Sequence, residues 1–148
     1  MFGRVAGSYA LLNHLLSAGL DIAWRQAMVR ALLAPGLPEG PLLDLAAGTL
    51  DVSIMIARRT SRRILAADPC QPMLARGREK LTDEQRPRVH PVLADGLRLP
   101  LPDARVAGAT IAFGIRNIRP RPDAFAELAR VIRPGGRLVV LEFGTGKR

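Results

Sequence analysis

The stretch that decides the fold is Leu42-Leu43-Asp44-Leu45-Ala46-Ala47-Gly48-Thr49-Leu50-Asp51. Residues 42–46 form a short, mainly apolar run that indicates a buried strand, and Gly48 lies in the turn that follows. A helix is predicted next, across residues 53–59. Small residues at such a turn let the backbone approach a ligand closely, and the helix start offers free N–H groups. A plain strand–helix turn fits the same pattern, so the turn alone does not assign a ligand.

The strand–turn–helix rhythm repeats along the rest of the chain. Further strands are predicted at residues 63–67, 89–93, 106–113 and 137–143, and further helices at 72–81 and 122–132. Alternation of this kind is typical of a parallel sheet with helices on both faces. We therefore predict an α/β fold.

Two segments carry apolar residues at helical spacing, which predicts one buried face in each. In the helix at 122–132 this face comprises Phe125, Leu128, Ala129 and Ile132. Residues 1 to about 34 are interpreted as two helices, the second with Asp21 as its N-cap. The apolar face of that second helix comprises Trp24, Ala27, Met28, Ala31 and Leu32.

The composition indicates one globular domain and limits the classes of protein to which the chain can belong. The chain has 148 residues, 48% of them hydrophobic and 24% charged, with a single cysteine, Cys70. One cysteine cannot form an internal disulfide, which favours a reducing, cytoplasmic setting. There is no convincing signal peptide and no apolar run long enough to span a bilayer. The net charge of +9 suits nucleic acid or an anionic membrane surface. Because the arginines are scattered and aromatic residues are few, specific nucleic-acid binding is not expected.

Polar residues follow the predicted strands, where open α/β sheets bind their ligands. Asp68 ends the second strand, and a carboxylate there can accept hydrogen bonds from both hydroxyls of a ribose. Asp95-Gly96 ends the third strand, where the carboxylate can accept from an adenine amino group. Arg116-Asn117 follows the fourth. An adenosyl ligand across the first three strands fits this edge. The alternatives are a helix N-cap or a solvated strand end for Asp68 and a solvated turn for Arg116-Asn117. The G-x-G-x-x-G pattern of a nicotinamide dehydrogenase is absent.

Two further motifs give the chain a family resemblance. The segment at residues 130–138, Arg-Val-Ile-Arg-Pro-Gly-Gly-Arg-Leu, resembles class I S-adenosylmethionine methyltransferases. More narrowly, Phe113-Gly114-Ile115-Arg116-Asn117 with Leu141-Glu142-Phe143 is similar to the ubiquinone/menaquinone biosynthesis methyltransferases, the UbiE/MenG family. Residues 94–103 and the opening of the chain, from Met1-Phe2 to Trp24, follow the same family pattern. The resemblance covers essentially the whole chain.

The resemblance implies a Rossmann-like class I methyltransferase, with residues 1–36 as a helical cap and 41–148 as the core of a single domain. It implies S-adenosyl-L-methionine-dependent C-methylation of a polyprenyl quinol, either demethylmenaquinol or a 2-methoxy-6-polyprenyl-benzoquinol. The implied catalytic residues are Arg116, Asn117 and Tyr9, and Asn13 joins Arg116 and Asn117 as a quinol contact. The implied cofactor-binding residues are Asp44, Ala46, Gly48, Thr49, Asp68, Asp95, Gly96 and Ala112.

The expected partners follow from this lipid substrate. It would bring the protein to the inner face of the cytoplasmic membrane, helped by the positive charge. A homo-oligomer or a quinone-biosynthesis complex is compatible with the sequence, and no metal is expected. Two alternatives are a methyltransferase-fold fragment that only binds partners and, more remotely, a nucleic-acid methyltransferase.

Three departures from the family pattern bear on these expectations. Leu50 replaces a glycine of the cofactor turn; in a left-handed conformation it would cost roughly 1–2 kcal/mol, and its side chain would crowd the methionine moiety. Ala10 stands where the family has aspartate. The chain ends at Arg148, directly after the fifth strand, so the family's last two strands are expected to be missing and the fragment alternative gains weight.

Overall fold

The computed structural model describes residues 19–143. Predictions for Tyr9, Asn13 and the first helix lie outside these residues. The elements are, in chain order, α1 (Leu20–Leu32), β1 (Leu42–Leu45), α2 (Asp51–Ala57), β2 (Ile64–Asp68), α3 (Gln71–Glu79), β3 (Val89–Leu93), β4 (Val106–Ala112), a 3₁₀ turn (Ile115–Asn117), α4 (Arg121–Val131) and β5 (Ile132–Leu141).

The sheet has five parallel strands in the order β3-β2-β1-β4-β5, which confirms the predicted α/β class. The central strand β1 is buried along its whole length, as the apolar run from Leu42 to Leu45 requires. The chain proceeds from β1 to β2 and β3 on one side, then crosses to β4 and β5 on the other. The boundary between β1 and β4 is therefore the point where the strand order reverses, and ligands of open sheets bind outside the strand ends at such a point.

Strand β5 begins earlier than predicted. Ile132 already pairs with Val106, and regular pairing resumes five residues later at Arg137 opposite Gly108. The intervening residues form a bulge in which Gly135 has a φ of 78°. Pro134-Gly135-Gly136, which falls between the predicted helix at 122–132 and the predicted strand at 137–143, lies within an irregular strand because glycine permits the left-handed backbone that a bulge needs.

Both predicted helical faces are partly wrong. In α1 the buried residues are Asp21, Met28, Val29 and Leu32, whereas Trp24, Ala27 and Ala31 are exposed. The N-cap is Gly19, and Asp21 lies inside the first turn, 3.8 Å from Arg25. In α4 the buried stripe is Ala124, Leu128 and Val131, while Phe125 is 41% exposed, Ala129 is exposed and Ile132 half-buried. Counting apolar residues alone missed that an ion pair occupies the inner face of α1.

Part of the positive charge stabilises the fold. Arginine guanidiniums donate hydrogen bonds to backbone carbonyls of loops and helix ends; the donors are Arg62, Arg88, Arg130, Arg133 and Arg137. A carbonyl with no partner inside the fold is destabilising, and a guanidinium offers five donors in a fixed fork. These contacts give five of the 20 arginines a role within the fold.

Arg137 provides the most extensive of these contacts. From β5 it reaches the carboxyl end of α1, where its guanidinium nitrogens donate hydrogen bonds to four carbonyl oxygens at 2.9–3.1 Å. These are the carbonyls of Ala31, Leu32, Ala34 and Pro35. We expect Arg137→Met to lower the free energy of unfolding by about 1–3 kcal/mol, because several charge-assisted hydrogen bonds are lost and the helix end is uncapped. Urea unfolding measures this, with the exposed Arg63→Met as the matched control. Equal stability of the two variants would contradict the capping role.

Candidate functional site

The carboxyl ends of the strands form one edge of the sheet, and the two loops at the reversal point meet closely there. A side chain added at Gly114, after β4, would overlap Cβ of Ala46, after β1. Ala46 itself has a φ of 57°. Only small residues fit on both sides, so the floor of the crevice between β1 and β4 consists of backbone and methyl groups.

The turn from β1 to α2 alternates left-handed residues. Ala46, Gly48 and Leu50 have φ values of 57°, 53° and 64°. The left-handed backbone whose cost was considered for Leu50 is present. The Leu50 side chain does not point toward a ligand, as the predicted crowding would require. It is fully buried within a hydrophobic cluster, and its Cγ and Cδ1 fill the space above Gly77 of α3. The side chain turns into the core because α3 presents a glycine at that point.

Asp68 holds this turn in place from the neighbouring strand. Its Oδ2 accepts a hydrogen bond from Gly48 N at 2.9 Å, and its Oδ1 accepts from Cys70 N at 2.8 Å. The carboxylate is buried, with 7% of the residue exposed. Two carboxylate oxygens have about four acceptor positions, so two remain for a ligand. The N-cap alternative is not observed as a side-chain cap, since Cys70 precedes α3 without one.

The remaining predicted cofactor residues follow the same edge. The Thr49 hydroxyl donates to Asp51 Oδ2 at 2.9 Å. Asp95 is exposed, and its Oδ1 accepts from Leu97 N at 2.9 Å, which forms a tight turn after β3. Gly96 is buried against Ile118, whose Cδ1 would lie 2.8 Å from an added Cβ. Ala112 ends β4, half-buried.

Asp44 lies beneath the turn, with its carboxylate engaged on both sides. Ser53 Oγ, at the start of α2, donates to Oδ2 at 2.6 Å, and Thr110 Oγ1 of β4 donates to Oδ1 at 3.1 Å. Burial raises the pKa of Asp44 from 3.8 to about 6, against the opposing effects of the two hydroxyls and the Arg25 charge. Asp44 therefore joins β1, α2 and β4 below the crevice.

This burial predicts a pH dependence of stability. Because the folded pKa of Asp44 exceeds the unfolded value, its contribution is most favourable near pH 4 and declines as pH rises through about 6. Asp44→Asn does not titrate and keeps acceptor and donor groups for both hydroxyls. We expect the free energy of unfolding of the variant, relative to the parent, to increase from pH 5 to pH 7 in urea titrations. A difference independent of pH would contradict the buried ionisable network.

Arg116 and Asn117 lie on the other side of the reversal point, in the 3₁₀ turn after β4. Arg116 Nη1 donates to Glu142 Oε1, at the end of β5, at 3.3 Å, while Asn117 is exposed. Phe113, with a φ of 56°, begins this turn and stacks on Phe143 at a centroid distance of 4.7 Å. The site on this side is therefore an ion pair beside two stacked aromatic rings.

Two residues near this site were not predicted as functional. The Arg25 guanidinium of α1 lies 5.7 Å from the centre of the Phe113 ring, and its charge acts on Asp44. Glu142 was quoted as part of a family motif but given no role. The sequence contained a signal for Glu142, since it follows an apolar strand as Asp68 ends β2. The sequence contained no such signal for Arg25, because an arginine on an amphipathic helix is usually solvated.

Two shallow hollows of about 270 and 300 Å³ lie apart from the residues just described. Arg78, Leu81 and His90 help to line the first, and Arg119 to Pro122 line the second. Between residues 19 and 143, no helix combines the length and the apolar character needed to cross a membrane.

Several solved structures share the fold of this chain. A candidate S-adenosyl-L-methionine-dependent methyltransferase from Methanococcus maripaludis superimposes with a TM-score of 0.75 at 20% identity, over 88% of this chain and 61% of that one. The [4+2]-cyclase SpnF superimposes with a TM-score of 0.71 at 24% identity, over 88% and 48%. The fold is the Rossmann-like methyltransferase fold, and the SpnF match illustrates that this fold does not by itself define the reaction.

The sequence narrows the class to a family. The chain belongs to the ubiE/COQ5 methyltransferase family, whose model matches residues 1–147. It is 44% identical to the demethylmenaquinone methyltransferase of Thermus thermophilus over 97% of this chain and 64% of that protein. It is 41% identical to the ubiquinone/menaquinone biosynthesis C-methyltransferase UbiE of Geobacter sulfurreducens over 98% and 57%. The chain thus spans about three-fifths of the length of these relatives.

Proposed function

We propose that the chain binds S-adenosyl-L-methionine along the ends of β1, β2 and β3 and methylates a ring carbon of a polyprenyl quinol held at the ends of β4 and β5. The observation that carries the proposal is the Asp68–Gly48 contact. It fixes a turn with a glycine at its apex next to a strand-end carboxylate, as a ribose and its adjoining chain require. The names of the relatives supply the quinone pathway.

The residues at this edge fit the cofactor. Asp68 would accept from the ribose hydroxyls with its two remaining acceptor positions, and Asp95 with Gly96 would border the adenine. Gly48 and Ala46 would line the methionine end, where Thr49 and Ala112 add a small polar and a small apolar surface. Asp44, being fully buried, would act from beneath by holding the turn through Ser53.

The chemistry asks the protein to orient the ring and to favour its phenolate form. The bound sulfonium supplies an electrophilic methyl group. Arg116 would place positive charge at the developing phenolate oxygen, and the Asn117 amide would orient a second ring hydroxyl. Phe113 and Phe143 would pack against the ring and exclude water. Tyr9 and Asn13 remain proposed quinol contacts.

The substrate class also suggests where the protein works. A polyprenyl quinol resides in a membrane, so we propose peripheral contact with the inner face of the cytoplasmic membrane. Exposed apolar side chains on the site side include Trp24, whose ring meets Phe143 at 6.0 Å. Association with a second copy or with other quinone-biosynthesis proteins is part of the same proposal.

Calorimetric titration with S-adenosyl-L-methionine tests the cofactor half. We expect saturable, one-to-one binding that Asp68→Asn weakens and that the exposed Asp83→Asn leaves unchanged. A folded chain that releases no heat and shows no thermal stabilisation with the cofactor at millimolar concentration would overturn the proposal.

A further inference from the structure

Glu142 is a carboxylate at the substrate side that the chemistry above does not use. It ends the sheet at β5, beside the 3₁₀ turn, and its side chain is 20% exposed. Oε1 accepts from Arg116 Nη1 at 3.3 Å and from Phe143 N at 3.0 Å. Both contacts fix one oxygen, so the orientation of the whole carboxylate is set by β5 and the turn after β4.

The second oxygen of Glu142 has no hydrogen-bond partner within the part of the chain that the structure describes. Oε2 is buried and accepts no hydrogen bond from any residue between 19 and 143. A buried acceptor without a donor destabilises a fold by about 1–3 kcal/mol, and such atoms are rare outside functional sites. The unmet requirement is for a single hydroxyl or N–H donor at this position.

The other acids of the edge are differently committed. Asp44 accepts from two hydroxyls, while Asp68 accepts from Gly48 N with Oδ2 and from Cys70 N with Oδ1. Glu142 instead contacts Arg116, the cation that would face the quinol oxygen. An acceptor and a cation side by side are the pair needed to remove a phenolic proton and stabilise the resulting anion.

We propose that Glu142 Oε2 accepts the hydroxyl proton of the quinol, an inference that rests on the proposed function. The O–H bond breaks, its proton moves to Oε2, and the oxygen's electron pair enters the ring, whose carbon attacks the methyl group while the carbon–sulfur bond breaks. The ring then loses its C–H proton to solvent, and Glu142 returns its proton to the ring oxygen. Atoms and charge balance with one proton released.

The test compares Glu142→Gln and Glu142→Asp with the parent chain, and uses the exposed Glu84→Gln as the matched control. Methyl transfer to a short-chain demethylmenaquinol in detergent is followed from pH 5 to pH 9, and binding of S-adenosyl-L-methionine is measured by calorimetry. For Glu142→Gln we expect a kcat about 10²- to 10⁴-fold lower with cofactor affinity unchanged. Glu142→Asp, which keeps a carboxylate, should retain partial activity.

Every other outcome of this experiment also supports or overturns the proposal. A glutamine variant with the parent's kcat and pH profile overturns the proposal, as does a loss confined to KM. If Glu142→Gln does not fold, the aspartate variant decides: a lower kcat with KM and cofactor affinity unchanged supports the proposal, and the parent's kcat contradicts it. Absence of turnover by the parent itself overturns the proposed function, and this inference with it, which distinguishes the two failures.

Discussion

Replacing Gly77 by alanine is expected to destabilise the chain, although alanine is the better helix former by roughly 0.5–1 kcal/mol. The added Cβ would overlap Leu50 Cγ and lie 2.9 Å from both Leu50 Cδ1 and the Thr49 carbonyl carbon. Neither Leu50 Cγ nor the backbone can give way cheaply. Overpacking of this kind costs about 1–3 kcal/mol, so the steric effect outweighs helix propensity.

A double-mutant cycle isolates the pair. Leu50→Ala alone should cost about 2–5 kcal/mol, because a fully buried side chain is removed. In the Leu50→Ala background, Gly77→Ala should be less harmful than in the parent, with a coupling of about 0.5–3 kcal/mol. Urea unfolding of the four chains measures it. Additive effects would show that Leu50 does not pack on Gly77, and the expectation of a ligand-facing leucine would return.

Asp68→Asn is expected to weaken S-adenosyl-L-methionine binding sharply. An asparagine offers one oxygen where two N–H groups, those of Gly48 and Cys70, now donate, so one of them would meet the amide NH₂. Leaving a buried donor unpaired costs about 1–3 kcal/mol, and the variant also loses acceptor positions for the ribose. We expect the Kd to rise roughly 10- to 100-fold.

The matched control for this prediction is Asp83→Asn, which changes the same charge at an exposed site, where Asp83 pairs with Arg86 at 3.6 Å. Calorimetry gives the Kd, and thermal unfolding separates a distorted turn from a lost ligand contact. Parent-like affinity in a folded Asp68→Asn chain would remove Asp68 from the cofactor site.

The sheet could be predicted because its strands are short apolar runs closed by Gly, Pro or Asp. The run at residues 42–46 and the one at 106–113 differ from β1 and β4 by a single residue at one end. The helical faces were harder. Asp21 and Arg25 pair on the inner side of α1, and hydrophobic periodicity cannot register a buried ion pair.

The candidate site, like the fold, could be predicted only in part. Asp68 and Arg116 were predicted as site residues because they lie at or after strand ends, where open α/β sheets bind ligands. The structure has Asp68 at the end of β2 and Arg116 in the 3₁₀ turn after β4, and their roles stay predictions. The consequence of Leu50 was not predictable, since it depends on Gly77, 27 positions away along the chain, leaving space in another helix. Glu142 had the same strand-end signal as Asp68, and only its contact with Arg116 gives it a role.

The most direct test of the central claim is methyl transfer itself. The purified chain is incubated with S-adenosyl-L-methionine labelled in the methyl group and a reduced demethylmenaquinol, and the extracted quinol is analysed for label on the ring. Label on a ring carbon, at a rate that Arg116→Met reduces about 10²-fold or more, is the predicted result. A chain that binds the cofactor but leaves the quinol unlabelled would contradict the account.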